Sequence, residues 1–193
     1  MICGRTINLR RLRMDDLQNI LKWRQDAELM RYYDMLPIDM PLEIEEELKG
    51  NINSAKRVDF IIETKKAESI GTVYLKKINW KDRHTELHIM VAERKKGYGF
   101  FGSEAAFLLL LYAFRQLNMH KIYGRVIEYA KEVENLVKEI GFIREAVLRK
   151  SIYQKGRYWD LYIYGLLDME FKKFLDTTKG QKCLSASHGS LEG

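Results

Sequence analysis

Cysteine and proline are scarce, with two of each in 193 residues. Cys3 and Cys183 lie near opposite ends, which excludes a disulfide framework and a zinc-ligand spacing; the expectation is a metal-free protein of the cytoplasm. Long apolar runs are missing too. The longest, Ala105 to Phe114, is too short to span a bilayer, and the opening residues lack a cleavable signal pattern, so no membrane partner is expected. Two nucleotide signatures are unsupported. No glycine is followed by Lys and then Ser or Thr, and although Gly97, Gly99 and Gly102 fall at dinucleotide-fingerprint spacing, Phe100 and Phe101 fill the gap and no strand opens a βαβ unit at the start of the chain. A dense basic patch is also lacking. The net charge is +6, from 33 basic and 27 acidic residues, but the basic residues are dispersed and no run exceeds three. Nucleic-acid binders concentrate such charge on one face, so no nucleic-acid partner is expected, and the surplus is read as solvated surface plus service to a phosphate ligand.

An apolar content of 46% supports a real core. The length suits one domain over residues 1–175, followed by a flexible tail over 176–193, where Thr, Ser, Lys and Gly leave little to bury. Alternation predicts strands over 6–12, 58–63, 69–78, 84–91, 120–127, 142–153 and 158–166. Asp15 and Asp16 open a helix, and 26–33 and 42–52 read as two more, with Pro37 and Pro41 bracketing a loop. A buried helix is predicted over 103–117. Another spans 131–140, with Val133, Leu136, Val137 and Ile140 on one face and Gly141 as its cap. The order β-α-α-β-β-β-α-β-α-β-β implies an α/β (α+β) fold: a mixed, mostly antiparallel seven-stranded sheet with helices on both faces.

Arg94-Lys95-Lys96-Gly97-Tyr98-Gly99 is the most informative stretch. It joins a predicted strand to a predicted helix. Glycines let several N–H groups converge on one anion, and a helix start adds unpaired N–H groups and the positive end of its dipole. Strand, basic turn and helix together suit a pyrophosphate at the carboxyl end of a strand. A plain surface turn is the rival reading of the same glycines.

Arg94 to Gly99 also fits the Gln/Arg-x-x-Gly-x-Gly/Ala motif, and in this the chain resembles the GNAT superfamily of acetyl-CoA-dependent N-acetyltransferases. Leu9-Arg10-Arg11-Leu12, Trp23-Arg24-Gln25-Asp26, Tyr112-Ala113-Phe114, Lys121-Ile122-Tyr123 and Ile140-Gly141-Phe142 look like its ribosomal-protein and spermidine branch. The resemblance covers roughly residues 5 to 170. It implies acetyl transfer to a primary amine (a protein N-terminus, a polyamine or a small molecule) by direct attack in a ternary complex. It further implies coenzyme phosphates on Arg94, Lys95, Lys96, Gly97, Tyr98 and Gly99, the pantetheine arm along Met90 and Val91, and a homodimer by family habit.

Such a reaction needs a base for the amine and a way to stabilise the leaving thiolate. On strand 84–91, His84, Glu86, His88 and Met90 share one face. Glu86 is the first candidate base and His88, with an ordinary pKa of about 6.5, the second; the bland alternative is the polar face of a strand. Three departures from the family pattern stand out. Ala130 replaces a usual Asn, Val137 replaces a usual Tyr that acts as leaving-group acid, and Phe100-Phe101-Gly102 reads as an insertion that either lengthens the phosphate loop or packs its aromatics under the adenine or pantetheine. Tyr129 or Tyr123 is then the candidate acid. These departures motivate a rival, a non-catalytic acyl-CoA-binding module. Glu43, Glu45, Glu46 and Glu47 wall the implied acceptor side and suit a cationic amine, or form a solvated helix face with Glu45 paired to Lys49.

Overall fold

The computed structural model describes residues 1–30, 41–92 and 98–187. Eight strands form one sheet: β1 (Ile2–Cys3), β2 (Ile7–Arg11), β3 (Val58–Thr64), β4 (Ser69–Asn79), β5 (His84–Val91), β6 (Lys121–Ile127), β7 (Ile143–Gln154) and β8 (Arg157–Leu167). Their order is β1-β2-β3-β4-β5-β6-β8-β7, and among the described residues only the β5–β6 pair is parallel. The eighth strand beyond the expected seven is β1, two residues paired to Asn8 and Leu9, too short to show any periodicity.

Strand alternation sorts the core into two clusters. On β3, Phe60 and Ile62 face one side and Ile61 the other. The side of Ile61 is covered by α1 (Leu17–Arg24), α2 (Ala27–Met30) and α3 (Pro41–Ile52), through Ile20, Trp23, Leu29, Ile44 and Leu48. The opposite side is covered by α4 (Tyr98–Leu111), α5 (Lys131–Ile140), α6 (Asp168–Leu175) and α7 (Thr178–Ser187). Every residue from Ala105 to Leu111 is buried, as expected of a helix that is apolar all round. Truncating one of its central leucines to alanine is expected to cost about 2–5 kcal/mol.

Two expectations are corrected. Phe100, Phe101 and Gly102 belong to the first turns of α4, which starts at Tyr98, so they do not lengthen a loop. At its other end α4 passes into a π-helical turn over Tyr112–Gln116. The tail after residue 175 is not frayed throughout: α7 packs Cys183 and Leu184 against the main core, and Gly180 is buried. Residues 188–193 lie outside the described residues.

Helix α5 keeps its expected limits. Gly141 ends it with φ of +103°, a conformation costly for any residue with a Cβ, and Phe142 N–H donates to Val137 O at 3.0 Å. Among the described residues, no helix is long and apolar enough to cross a membrane.

Candidate active site

The site begins where the sheet splits. Strand β5 pairs with β6 only at His84, Thr85 and Glu86, opposite Lys121, Ile122 and Tyr123. Beyond Glu86 it keeps its β4 ladder through Val91 but no longer pairs with β6. One backbone edge of Leu87–Val91 therefore faces a cleft, with N–H and C=O groups that call for a partner. The cleft is a cavity of about 350 Å³, lined by Leu87, Ile89 and Val91 from β5, by Gly124 and Val126 from β6, and by α4 and α5. Close β4–β5 packing at its end depends on Gly71, where a Cβ would stand 2.0 Å from Met90 O.

Glu86 sits at the fork with no exposed surface. Its Oε1 lies 2.7 Å from His88 Nε2 and accepts a 2.7 Å hydrogen bond from Arg125 Nε. Lys76 Nζ is 3.8 Å from the same oxygen. Lys77 Nζ stands 2.9 Å from Oε2, as an ion pair off the hydrogen-bonding direction. Lys76 and Lys77 both reach Glu86 because β4 is irregular there: the register shifts after Lys76, and Lys77 takes φ of +54°. Burial pushes the Glu86 pKa up, but His88, Lys77 and Arg125 outweigh it and hold the carboxyl far below the ordinary range. A carboxylate so held is a permanent anion and a poor proton acceptor.

His88 shows the opposite balance. Burial lowers its pKa, the bond to Glu86 opposes this, and Lys76 and Arg125 add to the lowering. The imidazole is neutral at neutral pH. Glu86 is acceptor-only, so Nε2 carries the proton and Nδ1 the lone pair.

A second, smaller cavity of about 40 Å³ lies on the α1/α3 side. Tyr74, His88 and Ile89 line both cavities, so His88 stands in the wall between them. The charged groups of the smaller cavity are paired. Arg24 donates to Glu47 at 2.7 Å, and Arg57 Nε lies 2.9 Å from both oxygens of Asp59. The remaining acidic face of α3 is largely solvated: Glu43 and Glu46 are exposed, and Lys49 pairs with Glu45 at 2.6 Å.

Among the described candidates, Glu86 is in contact with His88, and His88 and Val91 line the same cleft. Met90 turns away from the larger cleft and is buried against α1 and α3, because alternate residues of a strand face opposite sides. Tyr129 lines neither described cavity. Its hydroxyl donates to Gln154 of the β7–β8 hairpin and its ring meets Trp159 edge-on at 5.0 Å, so it does not join Glu86 and His88. Tyr123 faces Glu86 in the β5–β6 register; burial, with Glu86 adding, raises its pKa. Val137 lines the cleft without a polar group. Arg94 to Gly97 lie outside the described residues, and Tyr98 and Gly99 open α4. Sequence reasoning passed over Arg57, Tyr74, Lys76, Lys77 and Arg125. Their signal is cross-strand register, with Tyr74 opposite His88 and Lys76 opposite Glu86, which no single segment displays.

A sheet that forks at a parallel pair, with an unpaired strand edge in the fork and His88 in the wall toward a second cavity, is an arrangement suited to an enzyme that brings two substrates together. The acetyltransferase (GNAT) domain family matches residues 6–143, and the chain belongs to that family. It is an N-acetyltransferase with acetyl-CoA as its acyl donor. Spermidine N(1)-acetyltransferase of Vibrio cholerae is 32% identical over 158 residues, covering 80% of this chain and 89% of that protein. A putative ribosomal N-acetyltransferase of Bacillus subtilis is 26% identical over 102 residues, covering 53% and 55%. The crystal structure of spermidine N-acetyltransferase from Vibrio cholerae in complex with CoA and spermine superposes with a TM-score of 0.80 at 29% identity, covering 86% of this chain and 98% of that one.

Proposed function

We propose that the protein transfers the acetyl group of acetyl-CoA to a primary amine by direct attack, with His88 as the base and Glu86 as the anion that orients it. The carrying observation is that His88 lines both cavities; on this reading the larger takes the thioester arm and the smaller marks the acceptor side. The edge of β5 past Glu86 supports the first assignment, since amides of an extended arm can replace the missing strand partner.

His88 Nδ1 takes a proton from the attacking amine as the C–N bond forms. The carbonyl electrons collapse back, the C–S bond breaks and the thiolate leaves. Arg125 and Lys76, both on the cleft wall, supply positive potential for that thiolate, and the proton reaches the sulfur from His88 or through solvent. No phenol is needed, which accommodates Val137 at the cleft.

A cationic amine acceptor is supported by the spermidine acetyltransferases among the relatives. The test is thiol release from acetyl-CoA with spermidine, spermine, simple monoamines and a peptide N-terminus, alongside calorimetric titration with coenzyme A. Turnover with an amine is expected. Coenzyme binding without turnover across the panel would instead support the non-catalytic module, and no binding at all would overturn both.

A further inference from the structure

We infer that Tyr74 is a positioning residue for His88, held in place by Arg57 and Asp59. The inference rests on His88 being the base. Tyr74 on β4 and His88 on β5 are register partners, and their rings are parallel within 1° at a centroid distance of 4.9 Å. On the other face of Tyr74 lies the Arg57 guanidinium, with Cζ 4.1 Å from the ring centroid. Asp59 fixes that guanidinium through contacts of 2.9 Å to Nε and 2.8 Å to the terminal nitrogen. The result is a stack of guanidinium, phenol ring and imidazole.

The stack does something the Glu86 contact cannot. One hydrogen bond at Nε2 fixes an edge of the imidazole but leaves its plane free to swing about that bond. A parallel ring on one face removes the swing. Edge and plane together determine where the Nδ1 lone pair points, and a base misdirected by a fraction of an ångström loses much of its rate. The charged groups around the stack are Arg57, Arg24, Lys76 and Arg125 on the positive side and Glu86, Asp59 and Glu47 on the negative side. Tyr74 also lines both cavities, so the group that sets the plane of His88 borders both substrates.

The test is Tyr74→Leu against Tyr74→Phe, read by steady-state kinetics over pH and by the imidazole ¹⁵N spectrum of His88. Tyr74→Leu is expected to lower kcat by roughly 10- to 100-fold while coenzyme A affinity stays within about twofold. The ¹⁵N spectrum should keep the Nε2–H tautomer that Glu86 fixes, with its imidazole lines broadened by motion of the ring. Tyr74→Phe keeps the ring and should rescue both readouts. Arg57→Lys loses the planar fork but keeps the charge, and a drop in kcat of about threefold is expected without unfolding. An unchanged kcat and imidazole line width in Tyr74→Leu, or an unchanged kcat in Arg57→Lys should Tyr74→Leu not fold, overturns the inference. So does a loss in Tyr74→Phe as deep as in Tyr74→Leu, which would assign the role to the hydroxyl. A fully active His88→Ala sinks the base assignment beneath it; an inactive His88→Ala beside a wild-type-like Tyr74→Leu sinks this inference alone.

Discussion

Glu86 and Glu134 are both buried carboxylates ringed by cations, and both are held ionised. Their surroundings differ in origin. Lys131 and Lys138, three residues before Glu134 and four after it, approach along α5 at 3.0 and 2.7 Å with their ammonium groups in water, and Tyr164 Oη donates at 2.9 Å. That is helix-surface pairing with one tertiary bond added. Glu86 draws Lys76 and Lys77 from β4, His88 from its own strand and Arg125 from β6. Buried charge with a depressed pKa is thus common to the helix cluster and to the candidate site. What separates them is the partner: the cations of Glu134 end at the surface and its buried partner is the Tyr164 phenol, whereas Glu86 holds a neutral imidazole in the wall between two cavities.

The comparison breaks first at His88. Replacing it with alanine is expected to lower kcat by about 10²- to 10⁴-fold, with coenzyme A affinity nearly unchanged. Equal rates for wild type and variant would make the Glu86 cluster as structural as that of Glu134. Glu86→Gln comes next. It removes the charge opposite Lys77 and Arg125, and kcat should fall by roughly tenfold or more. Its pH profile gives a sharper sign. Glu86 raises the His88 pKa against burial, so its loss must move the acid limb of kcat to lower pH. In the wild type that limb is expected below about 6.5. A limb that moves upward, or stays put, removes the coupling.

Legibility in the sequence divided along the same line. Limits of β5 and α5 were readable, because Leu87, Ile89 and Val91 alternate and Val133, Leu136, Val137 and Ile140 recur at helical spacing before Gly141. Glu86 and His88 were readable as one polar strand face. Their ranking was not, since it depends on burial and on Lys77, Arg125 and Lys76 arriving from neighbouring strands. Grouping Met90 with Val91 in one cleft ignored the alternation that had already separated them. Helix α4 was started five residues late because Gly99 and Gly102 look like loop residues, and α7 was missed because Cys183 and Leu184 are too few to make a pattern.

Glu134→Gln should leave kcat unchanged and lower the melting temperature by a few degrees. The acid dependence of stability checks its cause. Lys138 and Lys131, then Tyr164, hold the Glu134 carboxyl down to about 2 against the opposing effect of burial. A depressed carboxylate pKa means stability that is complete above the ordinary value, about 4.3, and lost as pH falls through the folded one. Wild type should therefore lose stability between roughly pH 4.5 and 2, and the variant should lose less over that window. His88 adds a separate step: its lowered pKa makes the folded state bind fewer protons than the unfolded one, so stability also declines as pH falls below about 6.5.

Tyr129→Phe has the smallest expected effect and tests the comparison from the other side. The family pattern makes a phenol the leaving-group acid, and Tyr129 is near in sequence to the helix that usually carries it. Its hydroxyl is committed to Gln154 and its ring to Trp159, away from Glu86 and His88. Removing the hydroxyl should change kcat by less than about twofold, and the modest stability cost should be that of one hydrogen bond, about 1 kcal/mol. A large loss of kcat, with an alkaline limb that disappears, would make Tyr129 a proton donor reached by movement of the β7–β8 hairpin. The thiolate would then depend on a phenol after all, and the argument that Arg125 and Lys76 suffice beside Val137 would fail.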